Sequence, residues 1–313
     1  MKQQSDLEKL NVVHVAGTKG KGSTCAYVDS ILFHHRKNRR KVQTPNNIGL
    51  FTSPHLIAVR ERIRINGIAL SRLSFAKYFF EVWDALEVAA TSEGPFEKPA
   101  YFRYLNLMSY HAFLQEEVDV AIYEVGIGGE YDATNFVDRP VVTGISKLGI
   151  DHTFILGETI DKIAWHKAGI QKKGVPSLTV KQLPEAMEVI EQRAKEIGVK
   201  GLTVVEIDPR LGGVMIKPNA NFQRENASLA IALSETVLKK VDPVFEVVQN
   251  TLPKSFIDGL EQVAWRGRFE TKHEGNITWY LDGAHTTDSI KVASQWYGEE
   301  CSQRWVYKIM NTL

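Results

Sequence analysis

The 313-residue chain holds only two cysteines, Cys25 and Cys301. They lie too far apart to suggest a disulfide framework, offer no metal-ligand spacing, and suit a reducing compartment. No apolar run is long enough to span a bilayer, and no charged-then-apolar signal opens the chain. An excess of one charge sign is also missing. Lys and Arg number 38 against 37 Asp and Glu, so no global field draws the chain to nucleic acid or to an anionic membrane. Any anion site must be local. There is no internal repeat and no low-complexity tract, and the basic run "HHRKNRRK" at 34–41 reads as a solvated loop. These absences predict a soluble intracellular protein, long enough for two domains.

Apolar clusters rich in β-branched residues recur at "NVVHV", "NIGLF", "VDVAIYEV", "PVVTGIS" and "PSLTV". Between several of them lie stretches with helical spacing. Residues 73–90 place Leu73, Phe75, Tyr78, Phe79, Val82, Trp83 and Leu86 three and four apart behind a candidate N-cap, Ser71. Residues 101–116 and 184–197 read the same way, the second opening on Pro184 and closing near Gly198. The alternation predicts an α/β fold with a mostly parallel sheet covered on both faces and ligands at the carboxyl ends of its strands. A strong helix at 226–238 and a second short one lead to "WRGRFE", and the composition shift there sets a domain boundary near 265. Beyond it, "ITWYLDGAH" reads as a buried strand ending in a polar loop. It is followed by a helix, the start of a second α/β unit.

"GTKGKGS" follows the first strand and precedes a helix expected to start near Ser23. A phosphate cradle requires this strand–loop–helix setting. Gly17, Gly20 and Gly22 let backbone N–H groups approach phosphate oxygens, Lys21 supplies a point charge, and Ser23 or Thr24 reaches Mg²⁺ or a phosphate oxygen. A Gly-rich turn with a surface lysine is the plainer alternative. The common G-x-x-x-x-G-K-[ST] pattern puts Lys directly before the hydroxyl, whereas here Gly22 intervenes. Three further loops end predicted strands. "LFTSPHL" offers Ser53 and His55, "YEVGIGG" offers Glu124, and "SKLGIDHT" offers Asp151 and His152. A hydroxyl, a carboxylate and an imidazole converging opposite a phosphate loop form a candidate metal site. Taken singly, each also reads as an ordinary loop residue, cap or ion pair.

"HVAGTKGKGST", "GLFTSPHLIAVRERIRING", "YEVGIGGEYDATN", "GIDHT", "KIAWHKAGI" and "WYLDGAHT", in this order, resemble the folylpolyglutamate synthase family of the Mur-ligase superfamily. The intervening Gly22 is itself expected of that family. The resemblance implies a P-loop, Mur-ligase-like ATPase domain over 1–265 and the start of a smaller Rossmann-like α/β domain over 266–313. The implied activity is an ATP-dependent ligase. ATP phosphorylates the terminal γ-carboxylate of tetrahydrofolate or its polyglutamates, and the amine of L-glutamate attacks the acyl phosphate. Dihydrofolate synthase, which shares the motifs, and a catalytically silent ATP-binding module are the alternatives.

Carried over by motif, Thr18, Lys19, Gly20, Lys21, Gly22 and Ser23 surround the phosphates, and Ser53, Glu124 and His152 hold Mg²⁺. Lys167, in "HKAGI", matches a lysine that is carbamylated in some members, where the new carboxylate helps hold a second metal. Asn226 matches an adenine-contacting Asn that begins a helix. Arg268, Asp282 and His285 resemble the C-terminal contributions to ATP binding and closure, and "RERIRING" is similar to a segment near the folate site. Lys21, Lys167 and His285 are the expected catalytic groups. A monovalent cation is a further expected cofactor. The expected partners are small molecules rather than nucleic acid or membrane, on a monomeric, cytoplasmic protein with a mitochondrial pool as the alternative. Only about a dozen residues precede the loop, and the family's C-terminal domain continues past "DGAHT", so the expectation is a chain truncated at its C-terminus with an uncovered edge and apolar face.

Overall fold

The computed structural model describes residues 4–38, 45–92, 98–284 and 287–302. After a 3₁₀ segment, Gln4–Leu10, the chain forms β1 (Val13–Ala16), α1 (Lys21–Asn38), β2 (Ile48–Phe51), β3 (Ile63–Ile65), β4 (Ile68–Ala69), α2 (Arg72–Ser92) and α3 (Tyr101–Gln115). It continues through β5 (Val120–Glu124), β6 (Val142–Ile145), α4 (Thr153–Leu156), α5 (Ile160–Ala168), β7 (Pro176–Val180), α6 (Pro184–Ile197) and β8 (Gly201–Val205). The last elements are α7 (Asn221–Val241), α8 (Lys254–Glu261), β9 (Glu270–Glu274), β10 (Ile277–Leu281) and α9 (Thr287–Cys301).

Eight strands make one sheet in the order β4-β3-β2-β5-β1-β6-β7-β8. It is parallel from β2 to β8, and β3 and β4 add on antiparallel. The two-residue side-chain period sorts each central strand onto both faces. On β5, Val120 and Ile122 join the core under α1, α7 and α8, while Ala121 and Tyr123 join the core under α2 and α3. A third cluster seats α5 and α6 around Ile145, Ala164 and Ile190. With helices on both faces, the central strands are mostly apolar, and β1, β2, β5 and β6 are buried at every position, including His14, Glu124 and Thr143. Ser71 does cap α2, its Oγ accepting from the Ser74 N–H at 3.0 Å. Among the described residues, no helix is long and apolar enough to cross a membrane.

Three expectations are corrected. The front of the basic run, His34 to Lys37, is the last turn of α1 rather than a loop, and His35 is buried against Asp242 at 2.8 Å; residues 39–44 lie outside those described. α7 begins at Asn221, so Asn226 sits inside a helix and caps nothing. The "ITWYL" strand is not buried. Among the described residues β10 pairs only with β9, antiparallel, and leaves Ile277, Trp279 and Leu281 exposed on one face, while Tyr280 packs on Trp296 and Tyr297 of α9.

Candidate nucleotide site

Because β1, β2, β5, β6 and β7 run in the same direction, the loops that follow them gather along one edge of the sheet. The loop after β1 turns through Gly17 at φ +148° and Gly20 at φ +83°, values that side chains with a β-carbon rarely adopt. A β-carbon on Gly20 would also collide with Asn226 Oδ1. The segment after β6 clasps this loop. The N–H groups of Thr18 and Lys19 both donate to the Lys147 carbonyl at 3.0 Å, Ser146 Oγ donates to the Lys19 carbonyl at 2.8 Å, and Thr18 Oγ1 donates to the Gly149 carbonyl at 3.0 Å. Lys19 Nζ lies 3.4 Å from Asp151 Oδ2. Thr18 and Lys19 therefore spend their backbone donors on holding the loop's shape. The amides available to an anion are those of Lys21, Gly22 and Ser23, which form the first turn of α1, where a helix has no internal acceptors. Thr24 donates its N–H to the Gly20 carbonyl, while its buried hydroxyl has no hydrogen-bond partner.

Glu124 closes β5 opposite this turn. Its Oε2 accepts the Ser53 N–H at 2.9 Å, and a β-carbon on Gly22 would lie 3.3 Å from its Oε1. That proximity gives a physical reason for the glycine that interrupts the common phosphate-loop pattern. Burial raises the Glu124 pKa, and the charges of Lys21, Arg268 and Arg62, together with the Ser53 N–H, hold the rise in check. Ser53 and Glu124 thus meet through the Ser53 backbone amide. His152 instead neighbours Asp151, which accepts its N–H at 2.9 Å. It stands directly before α4 in the left-handed conformation, φ 51°. Among the described residues no group of three or more His, Cys, Asp or Glu could hold a metal ion.

Lys167 comes from α5 to lie beneath the loop, 2% exposed, with Nζ donating to the Gly17 carbonyl at 2.8 Å. Burial and the positive charge of Lys21 push its pKa down to about 7, against the raising influence of Asp151 and Asp132. Asn226 is brought to Gly20 by α7, where its Nδ2 donates to Gln223 Oε1 at 2.9 Å. Arg268 lies against Gly283. Both carboxylate oxygens of Asp282 accept backbone N–H groups, from Phe269 and from Ala284, at 2.8 Å. Asp282 therefore ties the "WRGRF" turn to the end of β10. His285 lies outside the described residues.

Sequence reasoning missed three participants. Ser146 stands directly after a predicted strand and was open to the same loop-after-strand logic. Gln223 shares a helix face with Asn226 only once the helix is known to start at Asn221. Trp265 sits beside Gly22, a contact between residues far apart in the chain that no local signal encodes.

No protein-family model matches the chain. A Neurospora crassa folylpolyglutamate synthase is 61% identical over 302 residues, covering 96% of this chain and 56% of that protein. Its Candida albicans counterpart is 48% identical, covering 95% and 60%. The relatives are folylpolyglutamate synthases. A solved FPGS–AMPPCP complex superposes with a TM-score of 0.80 at 26% identity over 96% of this chain and 76% of that one. An FPGS–AMPPCP–folate complex also gives 0.80 at 26%, over 96% and 75%. The resemblance to folylpolyglutamate synthase thus holds in both sequence and fold, including the mostly parallel α/β sheet. The chain spans 56% to 60% of these two sequence relatives.

Proposed function

We propose that the chain is the nucleotide-binding part of an ATP-dependent folylpolyglutamate synthase, residues 1–265 carrying the phosphate loop and 266–313 opening a second unit. The observation that carries this reading is the loop itself: three first-turn amides, two tight glycines and Lys21 face a buried carboxylate, Glu124, on the sheet edge where α/β proteins bind ligands. The relatives' nucleotide-analogue and folate complexes support it.

A carboxylate is a poor electrophile until one oxygen becomes a phosphate leaving group. In this reading Lys21 and the helix amides neutralise the transferring phosphoryl group, so that the γ-carboxylate of tetrahydrofolate or its polyglutamates is phosphorylated and then attacked by the amine of L-glutamate. Glu124 and the Ser53 hydroxyl supply the hard oxygen donors that suit Mg²⁺, which when bound offsets phosphate charge. In this reading Asn226, held by Gln223 beside Gly20, contacts the adenine base. The buried Lys167 amine, neutral for much of the time near pH 7, is suited to attack CO₂. A nitrogen–carbon bond forms and a proton is lost, leaving a carbamate beside the loop.

The test is ADP release by the purified chain with ATP and Mg²⁺, with tetrahydrofolate plus L-glutamate added or omitted and the product weighed by mass spectrometry. A folate heavier by one glutamyl residue is expected. Product from dihydropteroate alone would move the assignment to dihydrofolate synthase. Nucleotide binding without ADP or product would leave a silent binding module.

A further inference from the structure

The segment joining α8 to β9 docks on the nucleotide site at two points. The Arg64 guanidinium lies over the Trp265 ring at 5.3 Å, and Trp265 Cζ2 would lie 3.5 Å from a β-carbon on Gly22. Two residues on, a β-carbon at Gly267 would lie 3.1 Å from Leu56 Cδ1. Both receiving surfaces are themselves held. Arg64 Nε donates to the Glu61 carbonyl at 3.1 Å, and the Glu61 carboxylate gathers the N–H groups of Leu56, Ile57 and Ala58. Trp265 is half-buried against the core under α1. Its carbonyl accepts the Arg268 N–H at 3.4 Å, closing a turn that lays the Arg268 guanidinium on Gly283.

We propose that Trp265 is a positioning residue: clamped between Arg64 and Gly22, its indole fixes the turn that carries Arg268, and so couples the phosphate loop to the segment beyond residue 265. The proposal rests on the nucleotide reading above. It adds that the turn is set from the loop side, through an aromatic ring that carries the Arg64 cation over it and sits beside the first turn of α1 at Gly22. A β-carbon at position 22 would crowd Glu124 Oε1 at 3.3 Å and meet Trp265 Cζ2 in ordinary contact at 3.5 Å, so the indole already lies as close to the first turn of α1 as a side chain there would allow.

The test is a double-mutant cycle on the full chain, reading AMPPCP affinity with Mg²⁺ by titration calorimetry for wild type, Trp265→Ala, Arg268→Ala and the pair. If Trp265 acts through Arg268, each single change weakens binding about tenfold and the pair is no weaker than the worse single by more than about twofold. Trp265→Phe, which keeps a ring under Arg64, should stay within about threefold of wild type. Should Trp265→Ala fail to fold, Arg64→Met takes its place in the cycle with the same expected non-additivity. A purely structural role would give losses that multiply, about a hundredfold in the pair, and that result overturns the coupling while leaving the nucleotide reading intact. Wild type binding neither AMPPCP nor ADP would overturn the nucleotide reading and the proposal with it.

Discussion

Lys167→Met tests whether the ammonium beneath the phosphate loop is as costly as its surroundings imply. Methionine keeps most of the volume and removes both the charge and the donor to the Gly17 carbonyl. Burial and Lys21 bring the folded-state pKa from the ordinary lysine value of 10.5 to about 7, a difference corresponding to roughly 4 to 5 kcal/mol. The sign follows from proton counts. Below pH 7 both folded and unfolded chains hold the proton, and the folded state carries the full penalty of a buried charge. Between about 7 and 10.5 the unfolded chain holds a proton that the folded chain has released, so this group makes stability rise with pH, by at most about 1.4 kcal/mol per pH unit. The methionine variant lacks that rise and loses a hydrogen bond worth about 1 kcal/mol. It should therefore be the more stable protein at pH 6.5 and lose that advantage progressively by pH 9.5. Urea unfolding of both proteins across this range checks it, since titrating groups remote from Lys167 cancel in the difference. A stability difference that stays constant with pH would refute the argument.

Gly20→Ala forces a β-carbon onto Asn226 Oδ1 at φ +83°; ADP affinity measured by calorimetry should fall at least about tenfold and stability by about 1 to 2 kcal/mol, and unchanged binding would remove the loop's assigned role. Asp29, buried on α1 with Oδ1 unpartnered, has its pKa raised to about 7 by burial despite Arg64. Its folded pKa lies above its unfolded one, so the stability it contributes is full below about pH 4 and lost as pH rises through 7. Asp29→Asn should flatten that part of the urea-midpoint profile, and identical profiles would contradict the assignment.

Much of this architecture was legible in the chain. The five apolar strand runs, the capped helices and the positions at or just after strand ends, from Gly17 to Thr24, Ser53 and Glu124, all rest on local periodicity, which burial on both sheet faces imposes directly on sequence. The β3–β4 hairpin was open to detection, because Asn66 and Gly67 take positive φ between its strands and an Asn-Gly pair is the strongest short hairpin signal. The strand β9, "ETKHE", was not, since a polar segment exposed along nearly all its length has no apolar alternation to reveal it. β8 is an edge strand with a mixed pattern and is hidden for a similar reason.

The sequence by itself determined the class of fold, the place of the glycine-rich loop after β1 and the glycines without which that loop cannot turn, because each of these depends on residues close together in the chain. Only the tertiary structure decided what surrounds the loop. Lys147 takes the Thr18 and Lys19 amides from β6's side, Lys167 reaches Gly17 across 150 positions, Asp282 serves a backbone turn, and Trp265 meets Gly22 and Arg64. Those contacts come from strand order, and strand order is set by which long-range packing buries the most apolar surface, a quantity that no single stretch of sequence contains.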